Sequence, residues 1–259
     1  MNVNTHSGTV SGRDAFIARL AQRLGRSSPL ASAPARPFAG VPEAYAARRT
    51  TVQERIDQFG ANWSALTGTV WTARAADAAD AVPAYAQRIC AERGIDRVSR
   101  WDHPDLAALP LDAALAADGV AVVPWRADGA TDEDAPVGAD GSVWSGRSPL
   151  LRATERSRLG IVWADYAIAG TGTLVLLAHG GRGRSVSLMP DTLFAVIRAD
   201  RLVTRMGEAF EAVRCDYPEA AAMPSSINLI TGPSRSADIE NDLTIGIHGP
   251  GKVYALILE

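Results

Sequence analysis

Between residues 50 and 125 the chain alternates, three times over, a helix-period segment with a short apolar segment bounded by turn residues. The spacing predicts a helix over 51–66, a strand at "GTVWTA", an Ala-rich helix over 75–93 with Pro83 as an interruption, a strand at "DRVSRW", a helix at "LDAALAAD" and a strand at "GVAVVPW". Strands separated by helical segments cannot pair as hairpins. Each must cross over to a parallel neighbour with its helix covering the sheet. The expected fold is therefore α/β, with a largely parallel sheet and helices on both faces.

The second half has fewer helices. "LGIVWADYAIAGTGTLVLLA" reads as two or three strands broken by Gly170 and Gly172, and "TLVLLA" and "SVSLMP" read as a hairpin around the glycines at 180, 181 and 183. A strand at "SLMPDTLFAVI", a helix over about 204–213, and strands at "SINLI", "LTIGI" and "VYALILE" complete the pattern. The scarcity of covering helices predicts a mixed sheet with an antiparallel edge.

Ahead of this body, Phe16, Ile17, Leu20 and Leu24 fall at helical spacing, giving an N-terminal amphipathic helix. Residues 27–42, with Pro29, Pro34, Pro37 and Pro42 among small residues, form a linker that cannot continue it. The domain reading is an arm over 1–42 and an α/β domain over 43–259. Residues 126–149, rich in Asp, Gly and Pro, read as a long loop or lid.

Composition narrows the function classes. Lys and Arg number 26 against 29 Asp and Glu, a net charge of −3, so the chain lacks the field that a nucleic-acid backbone requires. Cys90 and Cys215 stand far apart with no C-x-x-C spacing, so no iron–sulfur cluster or thiolate zinc site is expected on this chain, and both read as buried, inert thiols. His6, His103 and His179 show no metal-ligand spacing. No apolar run approaches a membrane span and no basic-then-apolar leader opens the sequence, which gives a soluble, cytoplasmic expectation.

Site candidates concentrate in the C-terminal third. In "NLITGPSRSADIE" a strand ends at Thr231. Gly232 allows close backbone approach, Ser234 and Ser236 offer hydroxyls, Arg235 offers a planar cation suited to carboxylate or phosphate, and Ser236 stands ready to cap a helix from Ala237. The plainer reading is a capped turn whose acids, Asp238 and Glu240, offset a helix dipole. Thr171, Gly172 and Thr173 form a second hydroxyl-bearing corner, and His248 in "TIGIHGPGK" is a candidate acid or base that reads equally as a structural histidine. Asp165, Asp191, Glu208, Asp238 and Glu240 are the carboxylates available for proton transfer; no nucleophile elbow is present.

Taken in order, "GTGTLVLL", "RSVSLMPDTLFAVI", "INLITGPSRSADIE" and "TIGIHGP" resemble the lactate-utilization protein C family of LUD-domain proteins over roughly residues 50–259. The resemblance implies a fold similar to the phosphosugar isomerase and CoA-transferase superfamily. It also implies a non-iron–sulfur component of a system that oxidises L-lactate to pyruvate beside iron–sulfur partner proteins, with a small-anion pocket built from Thr171, Gly172, Thr173, Thr231, Gly232, Ser234, Arg235, Ser236 and His248. Where that family often carries an acid, this chain has Gly170, so no acid–base role is carried to that corner. The alternatives are an independent enzyme, or a ligand-sensing module, acting on a phosphorylated or CoA-linked small molecule.

Overall fold

The computed structural model describes residues 12–32, 50–126, 149–237 and 243–259. The chain divides into two compact units, residues 1–49 and 50–259. In the first, helix α1 (Arg13–Arg23) leaves Phe16, Leu20 and Leu24 exposed and buries Ala21.

The second unit opens with helix α2 (Val52–Ala65), begun by a capping box: Glu54 N donates to Thr51 Oγ1 at 3.2 Å, and Thr51 N donates to Glu54 Oε2 at 2.7 Å. Its buried face, Ile56, Phe59 and Trp63, follows helical spacing. Strand β1 (Thr69–Ala73) comes next, then a 3₁₀ turn at Ala75–Asp77 leading into α3 (Ala78–Arg93). Pro83 does not interrupt α3; it lies buried on the core side, and the helix runs on to a left-handed Gly94 cap. The chain continues through β2 (Arg97–Arg100), α4 (Pro104–Ala107), α5 (Leu111–Ala117), β3 (Ala121–Pro124), α6 (Pro149–Arg156) and β4 (Leu159–Trp163). Strands β5 (Tyr166–Ile168) and β6 (Thr173–Ala178), helical turn α7 (Ser185–Leu188), β7 (Thr192–Arg198), β8 (Leu202–Val203) and α8 (Met206–Asp216) follow. Strands β9 (Ser226–Ile230), β10 (Arg235–Ser236), β11 (Thr244–Ile245) and β12 (Lys252–Leu258) close the fold.

The large sheet has the order β1-β12-β7-β4-β2-β3, and every neighbouring pair is parallel. Strand β4 is buried throughout, as are the first six residues of β7, as expected of strands covered on both faces. The predicted antiparallel edge is instead a separate sheet, β8-β5-β6-β9, in which β6 pairs antiparallel with both β5 and β9. The predicted 173–190 hairpin does not form. Ser185–Leu188 is helical, because β6 already has a partner on each side.

Two hydrophobic clusters result. The larger, around Trp63, Trp101 and Phe194, unites the parallel sheet with α2, α3 and α5. The smaller, Tyr166, Ile168, Val175, Leu177, Ala209 and Val213, joins the second sheet to α8. Among the described residues no helix is long and apolar enough to cross a membrane.

Candidate functional site

From β2 the chain turns outward to the edge strand β3, whereas from β4 it proceeds the other way, to β7 and then β12. The carboxyl ends of the adjacent strands β2 and β4 thus flank a topological switch point, where two connections part and leave a crevice. A cavity of about 490 Å³ opens there. His103 lines it from the exit of β2, Asp165 from the exit of β4, and Arg198, Asp200 and Arg201 from the exit of β7. Arg182, Tyr217, Asp105 and Trp163 are also in its wall.

Asp165 is fixed by the turn between β4 and β5. Its Oδ2 accepts from Leu177 N at 2.8 Å and its Oδ1 from Arg182 Nη1 at 2.8 Å. Arg182 reaches it because glycines flank it. A Cβ on Gly181 would stand 2.7 Å from Asp102 Cβ, and one on Gly183 would stand 2.0 Å from the Trp125 ring, so only a glycine loop can lie this close to the exits of β2 and β3. Asp102 N donates to Gly181 O at 2.9 Å and Trp101 Nε1 to Gly183 O at 2.9 Å, which ties the loop down. The Asp165–Arg182 pair is largely withdrawn from water, at 11% and 17% side-chain exposure.

Electrostatics divides the roles. Burial pushes the Asp165 carboxyl up to about 6, against the pull of Leu177 N–H and Arg182. Burial, aided by Arg182, brings His103 down to about 4, so its imidazole is neutral at neutral pH. His103 Nδ1 accepts from Asp105 N at 3.1 Å, which assigns the ring proton to Nε2 and makes neutral His103 a hydrogen-bond donor. The ring is stacked on Trp163, centroids 5.6 Å apart. His179, also lowered by burial, shares a 3.0 Å hydrogen bond with the Tyr217 hydroxyl. Arg201 and Asp216 also line the cavity, and both are tied to buried Tyr166, which donates to Asp216 and accepts from Arg201 Nη1 at 2.9 Å. The crevice therefore sets a carboxylate that titrates near neutrality in direct contact with Arg182, beside a neutral donor, which is the equipment for handling a proton on a small polar molecule.

The residues singled out from the sequence assemble elsewhere, around the C-terminus of α2. Thr171 Oγ1 meets Thr173 Oγ1 at 2.7 Å, and Thr173 Oγ1 meets Thr231 Oγ1 at 2.8 Å, so these three hydroxyls do come together. Gly172, at φ 60°, lets the corner lie against the backbone of Asn62 and Trp63, and Gly232, at φ 76°, lies against Leu66. Arg235 Nη2 donates to Leu66 O at 2.7 Å, capping a carbonyl at the end of α2, and to the Thr67 hydroxyl at 3.3 Å. Ser234 N donates to Pro250 O, and Ser234 Oγ accepts from His248 N at 3.3 Å. Pro250 lies two residues before β12, so this loop is at the amino end of the parallel strands; β9 belongs to the other sheet. Ser236 pairs with Thr244 in the β10–β11 ladder, and the helix expected from Ala237 falls on residues beyond those described. Asp238 and Glu240 lie outside the described residues.

Of the remaining carboxylates, Asp191 accepts from Thr192 Oγ1 at the start of β7, and Glu208 accepts from Thr204 N at the start of α8. Cys90 is buried, its thiol pushed up to about 11 by desolvation, but Cys215 is exposed, contrary to the sequence reading. Among the described residues no three His, Cys, Asp or Glu side chains are grouped to hold a metal ion.

Residues 56–258, most of the chain, match the LUD domain. This chain belongs to the LUD domain family. A lactate utilization protein C from Bacillus licheniformis is 28% identical over 98% of both chains, and one from Geobacillus thermodenitrificans is 30% identical over 97% of this chain and 98% of that protein. A third, from Halalkalibacterium halodurans, is 42% identical over a shorter match that spans 42% of this chain and 48%, about half, of that protein. The fold is shared with the crystal structure of a DUF162 family protein from Deinococcus radiodurans, at a TM-score of 0.51 and 19% identity over 82% of this chain and all of that one. The fold of this chain is thus a mixed α/β arrangement with a large parallel sheet.

Proposed function

We propose that this LUD-domain chain is the non-iron–sulfur component of a lactate-utilization system and that the crevice between β2 and β4 holds the small 2-hydroxy or 2-oxo acid. The naming of the full-length relatives supports the pathway. The observation that carries the site is the buried Asp165–Arg182 pair facing neutral His103 at the switch point.

In this reading Arg182 binds the carboxylate of the acid and Asp165 stands beside it as the proton acceptor. His103 Nε2–H donates to the oxygen on the adjacent carbon. Oxidation of L-lactate to pyruvate releases two electrons and two protons: Asp165, ionised, would accept the hydroxyl proton, the proton from C2 would pass to water, and iron–sulfur partner proteins would supply the acceptor for the two electrons. The Ser234–Arg235 loop is left out of the anion pocket because its guanidinium and hydroxyls are engaged at the end of α2 and the amino end of β12.

The test has two parts. Titration of the purified chain with L-lactate and pyruvate should show saturable binding that Arg182→Met abolishes and Arg235→Ala leaves intact. In a strain with no other lactate oxidase, deletion of the gene should abolish growth on L-lactate, and the Arg182→Met chain should fail to restore it. Growth unaffected by the deletion would sink the pathway assignment, and binding lost in Arg235→Ala but kept in Arg182→Met would move the pocket.

A further inference from the structure

The crevice is larger than a three-carbon acid needs. A second cavity, of about 510 Å³, adjoins the first and shares Asp105, Trp163, Arg198 and Asp200 with it. Its remaining walls are chemically different. Ala75 and Ala78 come from the turn and helix after β1, Ala108 and Leu109 from the end of α4, and Leu258 from the end of β12. The two together run along the carboxyl edge of the sheet, from the switch point to the last strands, over the common floor of Trp163.

We propose that the cleft is bipartite: beyond the small-acid position, the compartment beside β12 and β1 takes the uncharged hydrocarbon arm of a larger 2-hydroxy or 2-oxo acid. This rests on placing the carboxylate in the polar half. Two features select that occupant. The walls beyond Trp163 are mostly alanine, valine and leucine, which gain from covering hydrocarbon, with charged side chains grouped at the rim. Among the described residues the charged groups at the rim are Asp105, Asp200 and Glu259 against Arg198, which is itself held by Asp200 at 3.0 and 2.7 Å. An acidic rim of this kind repels a phosphorylated arm, so a nucleotide or CoA-like extension is disfavoured. A single molecule with its carboxylate at Arg182 and its chain passing over Trp163 fits both halves.

The experiment is isothermal titration of the full chain with a straight-chain series: lactate, 2-hydroxybutyrate, 2-hydroxyhexanoate and 2-hydroxyoctanoate. Affinity should rise about fourfold per added methylene until the apolar half is filled. Ala75→Trp and Ala108→Trp, each placing an indole in the apolar half from an exposed position, should leave lactate affinity unchanged and remove the gain with chain length. Affinity that stays flat or falls along the series in the unaltered protein would overturn the proposal. So would a gain that survives both tryptophan variants, since the chain would then lie elsewhere. Should 2-hydroxyoctanoate bind and lactate not, the bipartite cleft stands and the lactate assignment falls; lactate binding without a chain-length gain separates the two in the opposite direction.

Discussion

Asp165 and His103 are shifted in opposite directions by the same burial, and this makes a sharp prediction for stability against pH. Asp165 moves from 3.8 up to about 6, so between those values the folded chain holds a proton there that the unfolded chain has lost, and stability falls as pH rises. His103 moves from 6.5 down to about 4, so between those values the unfolded chain holds the extra proton, and stability rises with pH. At about 1.36 kcal/mol per unit each contribution amounts to about 3 kcal/mol. In the shared window, from about pH 4 to 6, they cancel. Neither group is among the charges that shift the other, so each variant isolates the remaining one. Asp165→Asn should therefore gain about 3 kcal/mol relative to the unaltered protein as pH is raised from 4 to 6.5. His103→Asn, which keeps a side-chain acceptor for Asp105 N, should lose about as much between pH 4 and 6. Urea unfolding at half-unit pH steps measures both, and taking differences from the unaltered protein removes the titration of every other group. If Asp165→Asn follows the pH profile of the unaltered protein through this window, Asp165 is not the buried, proton-holding carboxyl inferred here.

Three further outcomes test the neighbouring structure. Gly172→Ala should destabilise by at least about 2 kcal/mol in urea unfolding, because φ is 60° and the new Cβ would stand 2.8 Å from Trp63 N. Thr173→Val removes the middle hydroxyl of the Thr171–Thr173–Thr231 chain at a site only 2% exposed, and a loss of about 1–3 kcal/mol is expected by the same measurement. Arg235→Ala should lower stability by about 1 kcal/mol through the lost bond to Leu66 O while leaving lactate titration unchanged; a loss of binding at equal stability would return this arginine to the ligand site.

The parallel sheet was legible because its information is local. Each helix–strand pair from Thr51 to Pro124 carries its own period and its own punctuation, and Thr51 with Glu54 even announces the first helix end. Pairing across the second half was not local. "TLVLLA" is equally good as one arm of a hairpin or as the middle strand of a three-way antiparallel set, and the choice depends on β5 and β9, neither of which its own residues specify. The site shows the same division. Sequence spacing drew attention to the densest group of glycines, hydroxyls and a cation near Arg235, yet those features are what a chain needs to wrap the end of α2. Asp165 was visible only as one of several carboxylates, and His103 only as a histidine without metal spacing. What makes them a pair is strand order. Parallel neighbours β2 and β4, about 60 residues apart where Arg100 pairs with Ile161, send their continuations opposite ways, and the residues just past their ends fall on two sides of one crevice. Arg182 was the findable member. A cation between Gly181 and Gly183 can be explained as a turn, but a turn needs no arginine, and the same spacing lets a loop press into a crowded crevice and deliver a guanidinium there. A glycine-flanked arginine after a buried strand is therefore better weighed by what that strand's neighbours can bring to it than by the hairpin it resembles.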